Sequence, residues 1–510
     1  MFENIPILTL LIVIPLIGAL ATFFLGKDPK VAKYIALVFS AIPLVLSVLL
    51  LSEFSLGTPL GTEFQFVENH TWVSQLGISY FLGVDGISIP MVFLSALLVF
   101  LAILFSWDVK DKTRQYMALM LVLEVGVIGV FTALDYFLFY IFWEVVLIPM
   151  YFLIAIWGGP NRAYASIKFF IYTHVASLFM LLGIFALYFT TAPLLVDSGI
   201  IAAGQFGTFN MLDIAAVAGD LGHMLQVAIF AALFFGFIVK MPMVPFHTWL
   251  PDAHVQAPTA GSVLLAGLLL KMGSYGLIRI NLFTFAGEGG VAAEFQVLMA
   301  IIGIVSIIYG ALACLAQTDL KKMVAYSSIS HMGIVMLGIA TLSELGVAAA
   351  VFQMFAHGLI TAVLFMTCGM FQHKAGTREI PLLGGLAPKM PIVATVMMIG
   401  FMASLGLPGM VGFLAEFSVF TATYDWIGLW VLIPMISVAL TAAYYLWAMQ
   451  RTIFGDLTTK IDTHHIHDAY WFEIGPLAVL IGLIVLYGVW PALIMDYIVP
   501  SIPRILSGVI

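Results

Sequence analysis

Read for its apolar runs, the chain is a series of stretches close to the length of about 20 residues that a helix needs to cross a bilayer's hydrocarbon core. They lie near 5–25, 31–52, 87–107, 115–133, 135–156, 166–190, 225–247, 258–282, 297–316, 322–342, 346–372, 391–424, 428–450 and 472–498. The pattern predicts an all-α membrane protein of about 14 transmembrane helices. Only the links 53–86, 191–224 and 451–471 are long. The first stretch is too long for the apolar part of a cleavable signal peptide and reads as a span.

Two stretches carry interruptions. The twelfth, 391–424, would be about 51 Å long as one helix, against a hydrocarbon core of about 30 Å. Gly406, Pro408, Gly409 and Gly412 break it, and Pro242 and Pro245 break the seventh directly after Lys240. Proline lacks the N–H of the helical ladder and frees carbonyls inside the membrane. Both breaks sit beside a charged residue, five spans apart. That spacing predicts two five-helix repeats, 115–282 and 297–450, flanked by 1–110 and 472–498. An odd number of crossings per repeat makes the two inverted.

Composition narrows the class. Hydrophobic residues make up 63% of the 510 and charged residues 9%. A soluble domain carries roughly a quarter charged residues, so a soluble enzyme is excluded. The net charge of -8 comes with no basic cluster suited to nucleic acid. Cys314 and Cys368 are too few to ligate an iron–sulfur cluster or a structural zinc. No phosphate-cradling glycine loop or HExxH motif occurs, so no cofactor, metal or redox centre is expected on this chain.

The basic residues sort by side. Of the 19 Lys and Arg, 15 fall in links on one side of the predicted membrane, among them Lys168, Lys321 and Lys374. Only Arg279 and Arg504 fall on the other. The positive-inside rule puts the first set in the cytoplasm and both termini outside. Lys240 and Lys271 remain, each within a span.

A Lys or Glu at mid-bilayer costs about 2.5–3.5 kcal/mol on insertion scales. Five positions incur that cost: Glu124 in LMLVLEVGVIG, Glu144 in IFWEVVLIPM, Lys240 in FFGFIVKMPMVPF, Lys271 in VLLAGLLLKMGSYG and Glu416 in GLPGMVGFLAEF. One static ion pair would explain two of them. Two lysines and three glutamates on different helices point instead to ion translocation. Burial disfavours the charged form of acids and amines alike, bringing both toward the range where protons exchange. His331 follows Tyr326, Ser327, Ser328 and Ser330, and His357 has Gln353 one turn before it. Both read as relay stations. His174 reads equally as relay or packing residue, and His247 and His254 read as hydrogen-bonding packing residues. The HHIHD run at 464–468 reads as a solvated or partner-contacting loop rather than a metal site.

Several stretches resemble the antiporter-like membrane subunits of respiratory complex I. These are KMPMVPFHTWLPDAHVQAPTAGSVLLAGLLLKMGSYGLIR from Lys240 to Arg279, LGVDGIS at 82–88, FWEVVLIPMYFLI at 142–154 and KKMVAYSSISHMG at 321–333. The resemblance spans essentially the whole chain. Glu416 on the broken twelfth span is similar to the M-type branch, counterpart of mitochondrial subunit 4; the L and N types usually carry Lys there. The chain also ends soon after the fourteenth span, without the lateral helix of the L type. The resemblance implies a proton-translocating subunit of a bacterial inner membrane. Glu144 and Lys240 would be a coupled ion pair in a first half-channel, and Lys271 a central relay. His331 and His357 would connect it to Glu416 at the exit side, with Glu124 a less certain station. NADH, FMN, iron–sulfur clusters and quinone would sit on other subunits, and the L- and N-type subunits and lipid would be partners. A subunit of a multisubunit cation/proton antiporter or membrane-bound hydrogenase is the alternative.

Overall fold

The computed structural model describes residues 5–56, 64–287 and 289–507. The expected spans appear as helices. The first six are α1 (Ile7–Leu25), α2 (Pro29–Glu53), α3 (Ser88–Phe105), α4 (Thr113–Thr132), α5 (Tyr136–Trp157) and α6 (Arg162–Asp197). A short α7 (Met211–Ala218) precedes the seventh span, which is split into α8 (His223–Lys240) and α9 (Trp249–Gln256). The eighth is α10 (Thr259–Phe285). Then come α11 (Gln296–Leu315), α12 (Leu320–Ala340) and α13 (Glu344–Lys374). The twelfth span is split into α14 (Pro391–Ser404) and α15 (Val411–Ile427). Last are α16 (Leu432–Thr452), α17 (Trp471–Val489) and two short helices, α18 (Ala492–Ile498) and α19 (Ile502–Ser507).

The starts follow from local chemistry. The Asp135 carboxylate accepts from the backbone N–H of Phe137 and Leu138 at 2.9 and 3.0 Å, satisfying donors that the first turn of α5 leaves open. Asp319 and Ser343 cap α12 and α13 the same way. Both interruptions lie where proline and glycine predict. Beyond Lys240 the chain runs through Pro242 and Pro245 before α9 begins. Beyond Ser404 it turns through Gly406 and Gly409, whose φ of 82° and 89° is left-handed backbone that only glycine takes without cost.

Burial orders the helices. α10 and α13 are wholly enclosed, and α3, α4 and α12 nearly so. α2, α16 and α17 lie at the perimeter, where Val38, Val45, Ile436 and Val485 are exposed. Such an apolar perimeter is the surface that lipid or a neighbouring membrane subunit covers.

The long link 53–86 holds the strands among the described residues. β1 (Gln65–Val73) and β2 (Ile78–Val84) pair antiparallel, with Glu68 opposite Leu82 and a turn at Gly77 (φ 64°). Alternation in so short a segment is invisible to a rule built on 20-residue apolar runs. The hairpin has a job: Glu68 accepts from the N–H of Leu8 at 2.7 Å and Thr9 at 3.1 Å, supplying the cap that Pro6 cannot give α1.

Several cations expected in solvated links are not there. Lys168 lies in α6 and pairs with Asp252 at 2.7 Å. Lys321 is buried in α12, and its ammonium donates to the Ala257 carbonyl between α9 and α10 at 2.6 Å. Lys374 is buried at the end of α13 against Glu473 at 2.8 Å. They join helix ends together.

Candidate functional site

The intramembrane charges gather in two clusters. In the first, α5 presents Glu144 to α6. Its carboxylate contacts His174 Nδ1 at 3.1 Å and accepts from the Ser177 hydroxyl. Lys240, the last residue of α8, is buried and stacks its ammonium 5.3 Å from the Trp143 ring centroid and 5.9 Å from that of Phe169. Glu144 and Lys240 are therefore not a contact ion pair: among the described residues no oxygen–nitrogen approach within 4 Å joins them, and Glu144 is held by His174 and Ser177 instead. The Glu144 and His174 side chains are 23% and 37% exposed, so this cluster opens on the molecule's perimeter.

The second cluster is enclosed. Lys271 sits in α10 just after a π-helical turn, Leu265–Leu269. Such a turn carries an extra residue, upsets the regular ladder and frees carbonyls. Lys271 donates to one of them, Ala266, and reaches His357 Nδ1 on α13 at 2.6 Å. The His357 ring lies 5.6 Å, centroid to centroid, from that of His331 on α12. His331 Nδ1 contacts Glu416 on α15 at 2.9 Å, and the Gln353 amide donates to the same Glu416 oxygen at 3.3 Å. Four helices thus assemble one line, Lys271–His357–His331–Glu416, hydrogen-bonded at its two ends and bridged between the histidines by ring proximity alone, His357 Nε2 having no hydrogen-bond partner among the described residues. Every member is buried.

A side branch was absent from the expectations. His331 Nε2 meets the Ser404 hydroxyl at 3.1 Å, Ser404 meets Tyr445 at 2.8 Å, and Tyr445 donates to Ser327 at 3.0 Å. Ser404 is the last residue before the break in the twelfth span, and nothing but that position marks it in the sequence. Both nitrogens of His331 are therefore engaged, one by an acid and one by a hydroxyl. Hydrogen bonds of this kind fix ring orientation and tautomer.

Other candidates stand apart. Glu124 is buried in α4, and neither carboxylate oxygen has a partner among the described residues. His247 packs edge-on against Tyr309, and His254 stacks 4.4 Å from the Phe365 ring with both nitrogens unpartnered. In the HHIHD run, His465 is exposed, and Asp468 accepts from the N–H of Ile392 at 2.8 Å and Val393 at 3.2 Å, capping α14. Among the described residues no three potential ligands are grouped to hold a metal ion. A cavity of about 540 Å3 opens near the α9–α10 link, on the side of the basic links, lined in part by Asp108, Gln256, Thr259, Lys321, Cys368 and Arg378.

Residues 133–441 match the family described as NADH:quinone oxidoreductase/Mrp antiporter, transmembrane. F(420)H(2) dehydrogenase subunit M of Methanosarcina mazei is 44% identical over 506 residues, covering 98% of both chains. NADH-quinone oxidoreductase subunit M of Rhodobacter capsulatus is 42% identical over 516 residues, covering 98% of this chain and 96% of that one. Among solved structures, a chain of respiratory complex I from Thermus thermophilus aligns with a TM-score of 0.85 at 26% identity, covering 98% of this chain and 99% of that one. A chain of the Mrp complex from Dietzia sp. shares the fold, with a TM-score of 0.84 at 20% identity over 98% of this chain and 97% of that one.

Proposed function

This chain belongs to the NADH:quinone oxidoreductase/Mrp antiporter family of membrane subunits, and from that premise we propose that it moves protons as the M-type subunit of a complex I-like oxidoreductase. The observation that carries the reading is the enclosed line from Lys271 through His357 and His331 to Glu416. Each member binds or releases a proton, and a charge arriving at one end changes the proton affinity of the next. In this reading Glu144 and Lys240 load the first half and are coupled through space. Lys271 is the central relay, Glu416 the exit-side group and Glu124 at most an auxiliary station. Residues 115–282 and 297–450 are the two inverted repeats, each with one broken helix. The basic links face the cytoplasm, where the cavity beside Lys321 gives protons access, and both termini face outward. The electrons pass through other subunits, which hold the flavin, iron–sulfur clusters and quinone. L- and N-type subunits are the neighbours in the membrane.

Two donors fit this role. Relatives named for NADH and for F(420)H(2) oxidation both cover nearly the whole chain at about equal identity, and the buried relay serves either. Purification of the assembled complex settles the donor, by which of the two it oxidises. Purification without a flavin- and cluster-bearing arm favours a multisubunit cation/proton antiporter instead. The relay itself is tested with Lys271→Ala and Glu144→Ala in the assembled complex. Both are expected to leave the subunits together and to lower pumping and coupled quinone or equivalent acceptor reduction by about tenfold or more, the factor that 1.4 kcal/mol makes in a rate. Normal pumping by both variants would refute the reading.

A further inference from the structure

The hydroxyl branch beside the relay has a direction, and donor counting gives it. His331 and Ser327 lie one turn apart on α12. Between them the branch passes through Ser404 at the end of α14 and Tyr445 on α16. All four side chains are buried. Each hydroxyl owns one proton, and a carbonyl owns none. Ser327 reaches the Val324 carbonyl at 2.8 Å, so its proton is committed there. Tyr445 lies 3.0 Å from Ser327 and donates to it. Ser404, 2.8 Å from Tyr445, therefore donates to Tyr445. That leaves no Ser404 proton for His331 Nε2 at 3.1 Å, so Nε2 itself carries one and donates to Ser404. Reversing one link would put two protons in one contact or none in another, which buried polar groups avoid.

The other ring nitrogen then has a fixed part. With Nε2–H held, a neutral ring leaves Nδ1 bare, 2.9 Å from Glu416 Oε1. Two lone pairs at that distance repel, so one proton lies between them, on the acid or on the ring. That proton is the mobile one. The proton on Nε2 has nowhere to go, because the branch ends on a backbone carbonyl of the helix it left. The direction also lets the ring become charged, since a second proton can occupy Nδ1 while Nε2–H donates to Ser404. With the branch reversed, Ser404 would donate to Nε2, the ring's one proton would sit on Nδ1, and the imidazolium could not form.

We propose that Ser404, Tyr445 and Ser327 are positioning residues that lock His331 as the Nε2–H tautomer, so that it exchanges protons only through Nδ1 beside Glu416, and that the hydroxyl branch is a dead end for protons. The inference rests on the reading of His331 as a relay station and assigns its two nitrogens their parts. The tautomer is read without turnover, by solid-state NMR of the assembled complex in lipid, with isotopically labelled histidine and His331→Gln to identify the His331 signals. The native ring is expected to show a protonated Nε2. Ser327 hydrogen-bonds neither the ring nor Glu416 among the described residues. In Ser327→Ala, however, Tyr445 loses its acceptor, and its proton is satisfied by turning to Ser404, which then donates to Nε2. The Nε2 proton of His331 is expected to disappear, leaving the ring protonated on Nδ1. Tyr445→Phe removes the acceptor of Ser404 and is expected to do the same. Both variants are expected to lower pumping about fivefold, the rate factor of one hydrogen bond. A bare Nε2 in the native complex overturns the lock, and that result needs no variant to assemble. So does a protonated Nε2 retained in either variant, as packing alone would give. A switched tautomer with native pumping overturns the exchange through Nδ1. Because the tautomer is measured at rest, its outcome is separate from the pumping tests of Lys271→Ala and Glu144→Ala.

Discussion

The residues that matter most are those whose burial makes no sense without a partner. Glu144, Lys240, Lys271 and Glu416 stand out from sequence because each charge in an apolar run has a known cost, and the structure gives each one a setting. Their partners were far less legible. His331 and Glu416 are separated by 85 residues, and no local pattern announces such a contact. Ser404 and Tyr445 were missed because hydroxyls are common in membrane helices. Ser404→Ala removes the group that holds His331 Nε2; a hydrogen bond worth about 1 kcal/mol corresponds to a factor of roughly five in rate. Pumping should fall by about that factor with assembly intact, as dye quenching in vesicles would record. Glu124→Gln should slow pumping less than Glu144→Gln, since no described group exchanges a hydrogen bond with Glu124. The same pair of assays decides it. Asp135, outside the spans, gives a pH test. Burial pushes its carboxyl up to about 6 against the opposing hydrogen bonds from Ser79, Leu138 and Phe137. Its neutral form is thus favoured by folding, so its stabilising effect is full below the unfolded carboxyl range and is lost as pH rises through about 6. Relative to the native chain, Asp135→Asn should gain thermal stability as pH rises from about 4 to about 6 and show no further gain above that. A melting offset that does not move with pH would contradict this.

Helices were legible to within a few residues where apolar length alone decides them. The breaks were legible too, because Pro242, Pro245, Gly406 and Pro408 forbid a regular ladder. The β1–β2 hairpin was not, because it is local but too short for a rule built on 20-residue apolar runs, and the α1 cap was not, because Glu68 reaches Leu8 across 60 residues. The burial of Lys321 and Lys374 was also hidden. A count of basic residues by side registers which link they belong to, not whether they reach water. The break between α14 and α15 offers a clean element-scale test. Nothing lies within 4 Å of a Cβ placed on Gly409, so Gly409→Ala carries only the left-handed backbone cost, about 1–2 kcal/mol. The turn should relax by shifting α15, with Glu416 drawn away from His331. Turnover-linked pumping should then drop more than electron transfer does. At the other end of α14, Asp468→Ala removes a cap worth about 1 kcal/mol and should lower the melting temperature modestly.

At the scale of the whole molecule, the two clusters differ in what surrounds them. The Lys271 line is sealed by the protein itself, whereas Glu144 and His174 lie partly open among exposed Ile171, Val175 and Leu178. There the Glu144 carboxylate is satisfied within the chain by His174 and Ser177. Between the clusters runs α10, with one π turn before Lys271 and another, Leu277–Leu282, after it. The pair is laid out like the two threaded ends of a turnbuckle. Were both turns to migrate by one residue in the same sense, the segment Leu270–Gly276 would rotate while the ends of the helix stayed anchored. The lysine would then swing between its neighbours without any change at the outer wall.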